Sequence, residues 1–259
     1  MYMPFNLYSM NEILYQFGLD WSIEVLLLFL LLAFLAEVLG TVGGFGSSVF
    51  FVPVATMFMD FHDALGLTAL FHVASNISKI YLFKKGVDKK IILQLGIPAV
   101  VAVIIGAFIA KYLDTELLEV YLGVLLIVIS IFFLVKPHFK IRANTQNAVI
   151  GGIASGGLAG MLGTGGAIRG LTLTAFGLSK EVFIATSAVI DLGVDFSRSV
   201  VYSANGFVSF DTLKLLPFLI IIGFVGTYVG RMILRRIPQE RFEKIVLILI
   251  LLIGVQMFW

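Results

Sequence analysis

Long runs without a single charged side chain constrain this chain more than any other feature. Asp, Glu, Lys and Arg are absent from 25–36, 38–59, 91–110, 120–135, 143–168, 215–230 and 245–259. A helix needs about 20 apolar residues to cross a bilayer; after the first 21 residues 238 remain, close to 24 for each of ten segments, which leaves no room for a soluble domain. Composition agrees: 59% of residues are hydrophobic and 13% charged, against about 25% charged in a soluble domain, and the mean hydropathy is +1.04. The chain reads as an integral membrane protein, which excludes DNA binding, soluble catalysis and an extracellular disulfide module. It has no cysteine, so disulfides and thiolate metal sites are excluded too. A net charge of +2 does not imply a polyanionic partner.

The expected fold is all-α, with about ten membrane segments at 22–41, 46–59, 63–84, 89–111, 116–135, 144–163, 166–178, 180–203, 210–234 and 239–258. Segments 46–59 and 166–178 are too short to span fully and read as broken or re-entrant helices, which survive at membrane depth only inside protein. Thirteen of the 18 basic residues fall in alternate loops, around 84–90, 136–142, 178–180 and 231–244. By the positive-inside rule those loops are cytoplasmic and both termini lie outside. The first residues lack a basic stretch and a small-residue cleavage site, so no secretory signal is expected. Tyr2, Phe5, Tyr8, Tyr15, Phe17 and Trp21 suggest an interfacial aromatic anchor instead.

The halves, 1–142 and 143–259, resemble each other. Leu39–Gly46 (LGTVGGFG) lines up with Leu162–Arg169 (LGTGGAIR) with one residue of slack. Thr68–Lys79 lines up without gaps on Ser187–Arg198, an offset of 119 that pairs His72 with Asp191, Asn76 with Asp195 and Lys79 with Arg198. The same offset pairs Pro98 with Pro217. With five segments per half, the second half enters from the opposite side, so the repeats are expected to be inverted, as in many secondary transporters.

Gly43, Gly44, Gly46 and Gly163, Gly165, Gly166 precede the two short helices. Helix starts there would aim unpaired N–H groups and partial positive charge at the midplane, as an oxyanion requires. Ser47, Ser48 and Thr164 add hydroxyl donors. Close helix packing through small residues is the competing explanation. Lys79, Arg169 and Arg198 are basic residues at membrane depth, where an unpaired charge costs several kcal/mol. With Asn76 they complete the candidate substrate set; an internal Asp195–Arg198 ion pair is the bland alternative. Asp191, Asp195, His72 and Glu37 are candidates for coupling to protons or another ion. Asp60, His62 and Asp63 fall in an expected outside loop, where solvation is the simplest expectation, and no metal site or cofactor is expected.

The duplicated glycine motif and the polar helix after it resemble the TauE/SafE family of sulfite exporters, from about Leu31 to Phe258. The resemblance implies a secondary transporter for sulfite or a small organosulfonate, with export implied by the family name. The expected setting is a bacterial or archaeal cell (inner) membrane. The expected partners are a small anion, the lipid bilayer and a coupling ion, with a homodimer left open and nucleic acid excluded. An anion channel is the first alternative. An intramembrane serine hydrolase using Ser47 and His72 is the second, with no serine–histidine counterpart in the other half. No Walker-type phosphate loop occurs.

Overall fold

The computed structural model describes residues 21–44, 46–83, 86–137, 139, 141–234, 236 and 239–258. Among them are ten helices and no strand: α1 Ile23–Gly43, α2 Ser48–Thr56, α3 Phe61–Leu82, α4 Lys89–Ala110, α5 Thr115–Val135, α6 Thr145–Leu162, α7 Gly166–Thr174, α8 Lys180–Ala204, α9 Phe210–Leu234 and α10 Gln239–Gln256. Each corresponds to one of the expected segments. Tyr2, Phe5, Tyr8, Tyr15 and Phe17 lie outside the described residues. Trp21 packs inward, its ring 5.3 Å from Phe29 and 5.7 Å from Phe58.

Side-chain caps set several helix starts. Ser22, Asp60, Asp88, Asp114 and Asn144 each accept from a backbone N–H in the first turn of the following helix, filling donors that a helix start leaves open. The first turn of α3 begins at Phe61, so Asp63 belongs to the helix rather than to a solvated loop and accepts from Thr212 at 3.1 Å. α4 widens to a π turn at Ile92–Gly96, just before Pro98.

Among the described residues, four helices are long and apolar enough to cross a membrane by length and composition: α1, α4, α5 and α9. α3 and α8 are as long but carry the buried charges, and they pack against each other at the centre. α2 and α7 have nine residues each, about 13 Å of helix, under half the ~30 Å hydrocarbon thickness. The remaining packing has a regular plan. α1 lies on α9 and α4 on α6; α3 touches α9 and α8 touches α4; α5 lies on α10, and α2 meets α7.

Glycine decides how closely these helices approach. A side chain at Gly152, Gly156 or Gly160, one turn apart on α6, would fall on the backbone of Leu95, Ala99 or Val103 in α4. On the other side, Cβ atoms at Gly226 and Gly230 of α9 would sit 2.9 Å from the Glu37 side chain and 2.8 Å from Thr41 of α1. Close approach through small residues is how membrane helices associate when lipid supplies no hydrophobic drive.

Candidate functional site

α1 and α6 both end on a glycine in the left-handed region, Gly44 at φ 72° and Gly163 at φ 73°. A side chain disfavours that conformation, so glycine ends the helix there. The chain then turns, and α2 and α7 begin facing each other, joined by Ser48 Oγ to Thr164 Oγ1 at 3.3 Å. The polar faces of α3 and α8 cross beside these two starts. Gly44 and Gly163 are 119 residues apart, the offset already seen between the polar helices. Matched by these caps, the two glycine motifs stand one helical turn away from the Leu39–Leu162 match.

Three ion pairs fill the crossing. Glu37 is fully buried and lies 2.9 Å from Lys79 Nζ. It also accepts from Thr41 at 3.1 Å, Ser47 at 2.5 Å, Ser75 at 2.6 Å and Thr227 at 2.9 Å. Four of those five donors converge on Oε1, and Ser47 alone meets Oε2. Lys79 in turn donates to Ser75 at 2.8 Å.

Asp195 binds Arg198 through both Nε and Nη2 at 2.8 Å and accepts from Asn76 at 2.7 Å. Arg198, 1% exposed, also donates through Nη1 to the carbonyls of Gly163 at 2.7 Å and Ala159 at 3.2 Å. These are end-of-helix carbonyls of α6, which an arginine satisfies well. Tyr202 donates to the neighbouring Gly160 carbonyl at 2.7 Å. The ion pair weighed as the bland alternative for Arg198 is present, and its donors are engaged by protein.

Arg169 pairs with Asp191 through Nη1 and donates through Nε to Ser187 at 3.0 Å, which faces Asp191 at 3.4 Å. Its Nη2 lies 3.5 Å from where a side chain at Gly46 would begin. The Asp191 side chain is 15% exposed, against 6% or less for Glu37 and Asp195, so this pair is the one closest to solvent. Ser47, Ser48, His72, Asn76, Lys79, Gly46, Gly163, Gly165, Gly166, Arg169, Asp191, Asp195 and Arg198 all line one cavity of about 20 Å³, room for about one water. Gly43 and Gly44 lie outside it, in the wall of a separate cavity.

Each of the three cations named as candidate substrate contacts holds a carboxylate in this structure. An unpaired buried charge costs several kcal/mol, and the fold meets that cost internally, three cations against three carboxylates. Reasoning from sequence missed Thr41, Ser75 and Thr227, whose hydroxyls converge on Glu37 from α1, α3 and α9. Ser75 was legible, one turn before Lys79; the Thr227 contact spans 190 residues and carried no local signal.

His72 joins two of the networks. Its Nε2 lies 3.0 Å from Ser47 Oγ and its Nδ1 3.5 Å from Arg198 Nη2. A serine nucleophile needs an imidazole oriented by a carboxylate at its far nitrogen. Here a guanidinium stands at that place, and Ser47 donates to Glu37, so the hydrolase alternative loses its geometry. Among the described residues, no three His, Asp or Glu side chains converge as metal ligands.

The family model described as "Sulfite exporter TauE/SafE" matches residues 29–257. The "Probable membrane transporter protein YdhB" of Bacillus subtilis (strain 168) is 26% identical over 229 residues, covering 83% of this chain and 92% of that protein. The "Probable membrane transporter protein MJ0441" of Methanocaldococcus jannaschii is 24% identical over 215 residues, 77% of each chain. No solved structure matches. The all-helical fold and a match over most of the sequence agree: the chain belongs to the TauE/SafE sulfite exporter family of membrane transporters, which are not enzymes.

Proposed function

We propose that the protein carries a small oxyanion, sulfite or an organosulfonate, across the membrane by alternating access, with the anion held between the starts of α2 and α7 and contacted by Arg169. The observation that carries this reading is the Arg169–Asp191 pair, set against the glycine backbone of Gly46 and the start of α7 and more open to solvent than the other pairs. A guanidinium matches an oxyanion bidentately, so an incoming anion can take the place that Asp191 now holds. The closed cavity has no room for a sulfonate beside the ion pair, so binding accompanies opening. Asn76, Lys79 and Arg198 then hold the frame around the anion.

The crossing is charge-balanced, so an added anion needs a compensating proton or cation. Asp191, released from Arg169, is the group placed to take it. Asp195, His72 and Glu37 connect the coupling step to both halves.

The halves, 1–142 and 143–259, form two five-helix repeats of inverted topology in this reading. Exchanging α1–α5 for α6–α10 maps the contact α1–α9 onto α6–α4 and α3–α9 onto α8–α4, and leaves α3–α8 and α5–α10 in place. Asn76 and Asp195, repeat partners 119 residues apart, bond directly to each other, as residues beside a two-fold axis do. The termini lie outside the cytoplasm of a bacterial or archaeal cell membrane, a setting that relatives from both domains of life support.

The test is flux into proteoliposomes against sulfite, short alkylsulfonates, sulfate and short carboxylates. A carrier gives saturable uptake of at least one sulfur oxyanion, accelerated by the same anion on the opposite side. Non-saturable flux without that acceleration would establish a channel, and no flux of any anion would reject the reading.

A further inference from the structure

The buried site is the end of a file of cavities along one face of α8. It shares Gly46, Lys79 and Asp191 with a second cavity, also of about 20 Å³, that reaches Ala188. The second shares Gly44, Phe183 and Ile184 with a third, of about 250 Å³, whose wall includes Thr174 and the exposed Lys180. Lys180, Ile184, Ala188 and Asp191 follow one another at helical spacing of three or four residues, so a single stripe of α8 walls all three spaces. Eleven residues separate Lys180 from Asp191, about 16 Å of helix, which is roughly half the bilayer thickness. The file therefore extends along α8 for about half a bilayer thickness.

Where the second and third cavities meet, Phe183 packs against the end of α1. A Cβ at Gly44 would lie 3.3 Å from the Phe183 ring, so the ring sits directly on the bare backbone of the glycine cap. On the opposite side of the site the packing is tight. A Cβ at Gly163 would meet Leu65 at 2.6 Å and Val52 at 2.8 Å, and the His62 and Phe207 rings stack at 3.9 Å.

We infer that this file is the substrate's route between the buried site and the Lys180 face, with Phe183 seated on Gly44 as its gate and Lys180 at its mouth attracting anions. The inference rests on the transport reading above, and its test is independent of substrate. The chain has no native cysteine, so Thr174→Cys reports on the outer cavity and Ala188→Cys on the space behind the gate. The probe is 2-sulfonatoethyl methanethiosulfonate, an anionic thiol reagent, applied to the purified full chain in liposomes.

Thr174→Cys should react at a rate indifferent to residue 183. Ala188→Cys should react slowly behind Phe183, at least tenfold faster with Phe183→Ala, by an intermediate factor with Phe183→Leu, and more slowly still with Phe183→Trp. Lys180→Gln should slow the anionic reagent at Thr174→Cys severalfold and leave neutral methyl methanethiosulfonate unaffected. An Ala188→Cys rate unchanged across the Phe183 series overturns the gate, and Thr174→Cys serves as the folding control in every variant. Gate-dependent labelling in a protein that moves none of the anions tested would support the route and reject the transport reading.

Discussion

At the scale of single residues, burial forces pairing. Glu37, Asp191 and Asp195 each hold one of Lys79, Arg169 and Arg198, because a charge left alone in the interior is worth several kcal/mol of instability. Removing one partner should therefore cost more than removing both. Glu37→Gln or Lys79→Met alone is expected to destabilise the protein by about 3–5 kcal/mol, while the double variant loses less than the sum of the two. Thermal unfolding in detergent micelles, run as a double-mutant cycle, measures the difference; additive losses would mean the pair is not coupled. Of the three pairs, only Asp195–Arg198 was legible in the sequence, because three residues on a helix define a shared face. Glu37 with Lys79 and Arg169 with Asp191 join different helices, and their pairing depends on helix crossings that no local pattern encodes.

Among elements, the contrast between neighbouring glycines of α6 is sharp. A Cβ at Gly156 would strike the Ala99 backbone of α4, whereas one at Gly157 meets nothing within 4 Å. Gly156→Ala is expected to cost about 1–3 kcal/mol through overpacking, and Gly157→Ala to be neutral or to stabilise by up to ~1 kcal/mol through helix propensity. Equal effects, read as shifts in melting temperature, would show that α4 and α6 do not pack as described. The ten helices were legible because charges, prolines and glycines bracket apolar runs, and the bracketing residues become caps at Asp60, Asp88, Asp114 and Asn144. The register of the glycine motif was not legible to within a turn. Leu-Gly-Thr recurs at Leu39 and Leu162, but the left-handed caps are Gly44 and Gly163, and backbone conformation, rather than letter identity, sets the correspondence.

For the whole molecule, the proposed arrangement is two five-helix halves around a balanced charge cluster, oriented by their basic loops. A Gly86→Cys variant should be labelled by an impermeant thiol reagent from the cytoplasmic side alone; labelling only from outside would invert the orientation. Coupling has its own signature. Asp191→Asn is expected to abolish stimulation of flux by an imposed pH gradient while leaving exchange of anion for anion, and stimulation that survives would move coupling elsewhere. The central claim, that Arg169 holds the transported anion, is tested most directly by saturable sulfonate flux in the paired variant Arg169→Gln/Asp191→Asn. Both charges are removed together there, so the interior stays balanced and the protein should melt close to the parent. A guanidinium–oxyanion contact is worth about 1.5–3 kcal/mol, so kcat/KM is expected to fall by roughly 10- to 150-fold. A folded double variant whose kcat/KM matches the parent's would contradict the account.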